Sequence, residues 1–233
     1  MIVGTWAPLV GGAEQPPEEL FVSFDEGRSH RLLIVPALFD EANKLRRFTL
    51  TLMRALDSFG IDTALPDLPG TNESLSPSRD QSLSLWRTHI RQFSETFRAT
   101  HCLALRAGAM LAPASLSGWH YSALSGPKLL GTLLRGRVVE TREAGQPQTR
   151  EALLEIGQRQ GLRLAGWELN AAMVSELQAD QFDLGSSYVP ISHSDLGGSA
   201  LWLRAEPGED KEQSEALAKS VSAAMPASSD RPQ

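Results

Sequence analysis

The segment Thr100–Ala112, THCLALRAGAMLA, decides how this chain folds. Thr100–Leu105 reads as a short apolar strand. Arg106 follows, then Ala107–Gly108–Ala109 make a sharp turn, and Met110 opens MLAPA, the apolar start of a helix. A strand that breaks into a helix through such a turn can present a nucleophilic serine at a strained elbow, in the pattern small–x–Ser–x–Gly. Ala104 and Gly108 fill the two small positions here, and Arg106 stands where the serine would be. A guanidinium is always charged and has no lone pair with which to attack. The chain has the setting for a nucleophile and lacks the nucleophile.

The flanking sequence repeats one theme. On the N-terminal side, Arg31–Pro36 (RLLIVP) is a continuous apolar run, the signature of a strand buried on both faces. Ala37–Asp40 reads as a turn. Glu41 to Phe59 is the clearest helix, with Leu45, Phe48, Leu52, Leu56 and Phe59 at spacings of three and four and Gly60 as its stop. Ile61–Leu65 is the next strand, the loop PDLPGTNESLSPSRDQS follows, and Ser82 to Phe97 is a second helix. Leu20–Phe24 reads as an early strand. Beyond the elbow, Trp119–Leu124 reads as a strand and Lys128–Val138 as a helix. Alternation of this kind specifies a parallel sheet with helices on both faces. The expected class is α/β, doubly wound around a mainly parallel sheet.

The second half is less regular. Glu140–Gln148 reads as a polar loop, Thr149–Gln160 as a helix, Leu162–Glu168 as a strand, and Asn170–Gln181 as a helix. Tyr188–Ile191 and Ala200–Arg204 read as strands, and Lys211–Met225 as a closing helix. Residues 1–19, rich in Gly and Pro, are expected to be an irregular arm. Residues 20–225 then form a single domain, with a disordered tail over 226–233.

Bulk properties narrow the function. With 233 residues and 41% hydrophobic content, one large core is expected. A formal net charge of −6 argues against a nucleic-acid binder, which would carry a basic face. The single cysteine, Cys102, lies in an apolar run, where a buried thiol acting as a small hydrophobe is expected. The N-terminus has no basic region ahead of its short apolar run, and no stretch is long and apolar enough to span a membrane. A cytoplasmic protein without a membrane span is expected.

Several segments, read together, carry a resemblance: PALFDEANKLRR (36–47), DLPGTNES (67–74), LALRAGAMLA (103–112), SGPKLLGTLLRGR (125–137) and AGWELNAAM (165–173). In that order they resemble the exosortase A system-associated hydrolase 2 family, over roughly residues 30–205. The resemblance implies an α/β-hydrolase-like fold, here with a reduced cap and a shortened C-terminal end. It also implies a link to a bacterial protein-sorting and exopolysaccharide locus, and an elbow in which arginine replaces serine. Asp40 stands where the family has a glutamate, and Asn72–Glu73 where a Gly-Asp pair is commoner.

Ligand sites in such folds lie at the carboxyl ends of the strands, so the loops 37–43, 67–74 and 106–108 matter most. A candidate pocket follows, made of Phe39, Glu41, Asn43, Asp67 and Arg106. A half-buried arginine needs a carboxylate partner. Glu41 or Asp40 is the first candidate and Asp67 the next. Such a pair either braces the turn or grips an anionic ligand. A conventional triad is not expected, because the elbow serine is missing and no histidine follows the candidate last strand, Ala200–Arg204. The histidines are His30, His89, His101, His120 and His193.

Ser115, Ser117 and Ser192 are the substitute nucleophiles to weigh, and ordinary loop polarity is the better reading of them. No metal signature and no cofactor loop is present, so neither group is expected. The expected function is ligand or partner binding without catalysis, through a small molecule or a protein. The alternative is an ester or acyl hydrolase with its nucleophile elsewhere. The basic run Lys44, Arg46, Arg47 reads as a solvated face or a docking patch. The apolar side of 128–138 (Leu129, Leu130, Leu133, Leu134) packs either on its own sheet or in a homodimer.

Overall fold

The run Arg31–Val35 forms a strand whose side chains divide between two cores. Leu33 and Val35 enter one apolar cluster, Leu32 and Ile34 the other. That is the period of two expected of a strand covered on both faces. The computed structural model describes residues 1–8, 17–180 and 187–225.

In chain order the elements are β1 (Ile2–Trp6), β2 (Glu19–Phe24), β3 (Arg31–Val35), α1 (Asp40–Ser58), β4 (Asp62–Pro66), α2 (Leu83–Thr96), β5 (His101–Leu105) and β6 (Ser117–Tyr121). Then come α3 (Gly126–Glu143), α4 (Arg150–Gln160), β7 (Leu162–Leu164), β8 (Trp167–Leu169), α5 (Ala171–Ala179), β9 (Tyr188–Ile191), α6 (His193–Leu196) and α7 (Lys211–Ala224). Seven strands make one sheet in the order β1-β2-β4-β3-β5-β6-β9. The β1–β2 and β2–β4 pairings are antiparallel, and the rest are parallel.

Helices α2 to α5 cover one face and α1 with α7 the other, so the sheet is doubly wound. Helix α1 buries Leu45, Phe48, Leu52, Met53 and Leu56 along one stripe. It stops where Gly60 takes a left-handed φ of 75°. Among the described residues no strand follows β9. The insertion between β6 and β9 is a reduced cap of three helices and the β7–β8 hairpin. No described helix is long and apolar enough to cross a membrane.

Five local expectations change. Residues 2–6 belong to no irregular arm: they pair antiparallel with β2 along their whole length. Gly4 leaves the room that the Phe21 ring fills: a Cβ there would stand 2.6 Å from that ring. After the elbow the chain forms a six-residue 3-10 helix, Arg106–Leu111, in place of an α-helix. Pro113 stops it, since proline cannot donate the next helical hydrogen bond.

The stretch Leu162–Glu168 is two strands, folded back where Ala165 and Gly166 take φ of 46° and 85°. Ala200–Arg204 is no strand, but a 3-10 turn over Leu201–Leu203. Pro190 in β9 cannot donate a ladder bond, which suits an edge and leaves no partner line for an eighth strand. Helix α3 also runs past Val138 to Glu143, taking the start of the expected polar loop. Residues 9–16 of the arm and the tail over 226–233 lie outside the described residues.

Candidate functional site at the elbow

Strand β5 ends at Leu105, and the backbone turns sharply at Arg106, whose φ is 54°. That left-handed value is uncommon for a residue with a side chain, and it is the strained geometry of a nucleophile elbow. Gly108 lets the turn form. A Cβ there would lie 2.2 Å from the carbonyl oxygen of Pro36, at the end of β3. The neighbouring strand ends carry the same kind of strain. Phe39 has φ 55° and ψ −135°, a conformation that normally needs glycine, and Ser122 has φ 46°. Three strained residues, following β3, β5 and β6, meet at the carboxyl edge of the sheet.

Arg106 is almost wholly committed to its own chain. Its Nε donates to Glu41 Oε2 at 3.0 Å and its Nη2 to Glu41 Oε1 at 3.1 Å, a side-on bidentate pair. Its Nη1 donates to the backbone carbonyl of Ser122 at 2.6 Å. The indole of Trp202 lies over the guanidinium, 4.1 Å from ring centroid to Cζ, in a cation–π contact. The side chains of Arg106 and Glu41 are only 11% and 16% exposed, so the pair is largely screened from water. Lys44 Nζ donates to the Trp202 carbonyl at 3.4 Å, tying α1 to the same turn.

The predicted site residues separate. Phe39, Glu41 and Arg106 come together on a cavity of about 240 Å3 that Leu124, Leu133 and Trp202 also line. Phe39 is buried between Trp86 and Trp167, with ring centroids at 5.9 and 5.5 Å. Asp40, the other carboxylate considered for Arg106, instead accepts from Trp167 Nε1 at 3.1 Å. Asn43 is exposed on α1 and does not line the cavity. Asp67 pairs with Arg46 at 2.7 Å and accepts from Asn72 Nδ2 at 2.8 Å, on the far side of α1's first turns. The basic run divides too: Lys44 faces the cavity, Arg46 binds Asp67, and Arg47 reaches Glu209 at 3.2 Å. The four leucines of α3 are buried inside the chain.

Two neighbours of the site carry no mark in the sequence. Trp202 sits in a stretch that reads as a strand, and only its tertiary position makes it a lid over Arg106. Ser122 enters through a backbone oxygen, which no sequence pattern signals. His193, at the start of α6, packs edge-on against Trp202 at 5.3 Å, and its backbone N–H donates to Ser122 Oγ at 2.9 Å.

The His193 ring Nε2 is buried and has no hydrogen-bond partner among the described residues. His89 and His120 are buried elsewhere, where desolvation pulls each down to about 4. Among the described residues no serine hydroxyl hydrogen-bonds a histidine ring. No three His, Cys, Asp or Glu side chains among them gather as metal ligands would. Burial pushes the Cys102 thiol up to about 12, so it stays protonated and unreactive.

The fold agrees with known architectures. Alpha/beta hydrolase domain-containing protein 10 from mouse superimposes with a TM-score of 0.60 at 9% identity, over 96% of this chain and 98% of that one. A protein of Agrobacterium vitis S4 described as a candidate hydrolase gives 0.57 at 14% identity, over 96% and 99%. Est1E from Butyrivibrio proteoclasticus gives 0.55 at 12% identity, over 94% and 96%. At such identities the likeness shows the α/β-hydrolase-like fold and nothing finer. No family model matches the chain. No curated protein matches it either.

Proposed function

We propose that this chain is a hydrolase-fold protein that binds a ligand or partner over its elbow without hydrolysing it. One observation carries the reading. The position that would hold a nucleophile holds Arg106, and the three guanidinium nitrogens are bonded to Glu41 and the Ser122 carbonyl beneath Trp202. The group has no nucleophilic atom, and the nearest carboxylate is neutralised by it. The strained backbone at Phe39, Arg106 and Ser122 supports a retained site, since such strain persists where surrounding structure holds it for a purpose. The link to an exosortase and exopolysaccharide locus rests on the five segments quoted above and forms part of the same proposal.

The test is direct. The purified chain is assayed against p-nitrophenyl esters of two to eight carbons and labelled with a fluorophosphonate. We expect neither turnover nor labelling. Ester turnover abolished by a single Ser→Ala or His→Ala change would instead establish a hydrolase with its nucleophile outside the elbow.

A further inference from the structure

The elbow cavity is not isolated. Leu124, Thr132 and Arg135 line it and also line a second hollow of about 430 Å3 on the outer side of α3. The two hollows thus adjoin across these three residues, from the elbow along the helix, and are taken together as one groove. Its inner end is apolar, walled by Leu124, Leu129, Leu133 and Trp202. Its outer end is basic. Lys128, Thr132 and Arg135 recur at spacings of four and three on one stripe of α3.

Arg150, from the first turn of α4, lies across this stripe: a Cβ on Gly131 would stand 3.2 Å from its Nη2. Arg135 is held in place by donating to Thr132 Oγ1 at 2.9 Å. Lys44 completes the set from α1. None of these four cations has a carboxylate partner among the described residues. The carboxylates on the groove are Glu41, already paired with Arg106, and Asp40, which accepts from Trp167. A chain of net charge −6 thus concentrates unpaired positive charge beside an apolar cavity.

We propose that the groove binds a single-chain anionic amphiphile, with its apolar body against Leu129, Leu133 and Trp202 and a phosphate-type head on Arg135, Lys128 and Arg150. The apolar walls desolvate the chain while the cations offer charge-assisted hydrogen bonds to the head. The inference names the ligand class for the binding site proposed above and rests on that reading.

Isothermal titration calorimetry on the full chain tests it, with decyl phosphate below its aggregation concentration as the probe. Inorganic phosphate and decyl trimethylammonium serve as controls, and the ester assay is run in parallel. We expect decyl phosphate to bind, both controls to fail, and Arg135→Glu or Arg150→Glu to weaken binding at least tenfold with circular dichroism unchanged. Both side chains are exposed, so the fold tolerates the exchange.

Equal binding of decyl trimethylammonium, binding of inorganic phosphate as tight as that of decyl phosphate, or indifference to both charge reversals would overturn the ligand class. So would adsorption to anionic vesicles without binding of the monomeric probe, which would make the basic stripe a membrane contact. Absence of binding by every probe overturns it too. Ester turnover in the parallel assay would overturn the non-catalytic reading instead, whatever the amphiphile does.

Discussion

The two ends of the central strands each carry a cluster of arginines and carboxylates, and the clusters differ in what surrounds them. At the amino end of the parallel strands, Asp62 is fully buried and accepts from Arg28 Nη1 at 3.2 Å, Arg31 Nη1 at 3.0 Å, and the backbone N–H groups of Glu26 and Arg28. Arg31 also grips Asp25, holding that carboxyl at about 2. The nearby left-handed residue, Arg98, merely follows the end of α2, an ordinary place for one. At the carboxyl end, Arg106 and Glu41 pair beside a cavity, and Phe39, Arg106 and Ser122 all hold strained backbone where three strands end. An ion pair alone therefore does not mark a site. The pair that coincides with strain at several strand ends is the one proposed above as a site.

Cutting each cluster tests this contrast. Asp62→Ala leaves two arginines and two backbone N–H groups without their shared acceptor. Breaking a buried charged pair costs about 3–5 kcal/mol, so chemical denaturation should show a loss of that size. A loss under about 1 kcal/mol would mean water replaces the carboxylate freely. Arg106→Ser leaves Glu41 with no cation among the described residues, in a place slightly more open to water. We expect a loss of about 2–3 kcal/mol and no gain of esterase activity. Replacing both partners, as in Arg106→Met with Glu41→Leu, should recover much of that loss, because no charge is then stranded. An unchanged melting temperature in Arg106→Ser would remove the brace from the account.

Much of this site is legible in the amino-acid sequence, and the reason is local. The small–x–Arg–x–Gly spacing defines the elbow by itself, although the clash that keeps residue 108 a glycine is with Pro36 at the end of the neighbouring strand β3. Glu41 follows from its place in the first turn of the helix after the adjacent strand. Alternation in RLLIV and the apolar stripe of α1 fix the two faces of the sheet. The departures share a different cause.

Ile2–Trp6 becomes a strand only through β2, and Gly4 looks like a breaker until Phe21 is known to lie over it. Leu201–Leu203 has strand-like residues but no free ladder to join, so tertiary context decides it. Asp67 groups with the elbow on sequence grounds because its loop follows a strand, yet Arg46 on α1 lies nearer and takes it. That several loops follow strand ends does not say which side of a helix each side chain reaches.

A third kind of buried group extends the contrast, because it has no charge partner among the described residues. His89 is enclosed on α2 beside Trp6, and neither ring nitrogen has a hydrogen-bond partner among the described residues. Burial alone lowers it from 6.5 to about 4. Between those values the unfolded chain binds the proton and the folded chain does not. Stability is therefore fully present above pH 6.5 and falls as pH drops toward 4, by about 1 kcal/mol per pH unit for this group. His89→Leu should flatten that slope, so its urea midpoint gains on the parent at pH 5 more than at pH 7.5. An equal difference at both pH values would show that His89 does not carry the acid sensitivity.

The smallest effect belongs to the most exposed pair. Arg47 and Glu209 meet at 3.2 Å with side chains 63% and 51% exposed. Water and salt screen such charges, and ordering two long side chains offsets most of the attraction. Arg47→Ala should change stability by no more than about 0.5 kcal/mol, and less still in 0.5 M NaCl. The residue sits one position from Arg46 and three from Lys44 on the same helix, so it controls for helix context while changing only exposure. Were it to cost as much as Arg106→Ser, exposure would not be what ranks these pairs.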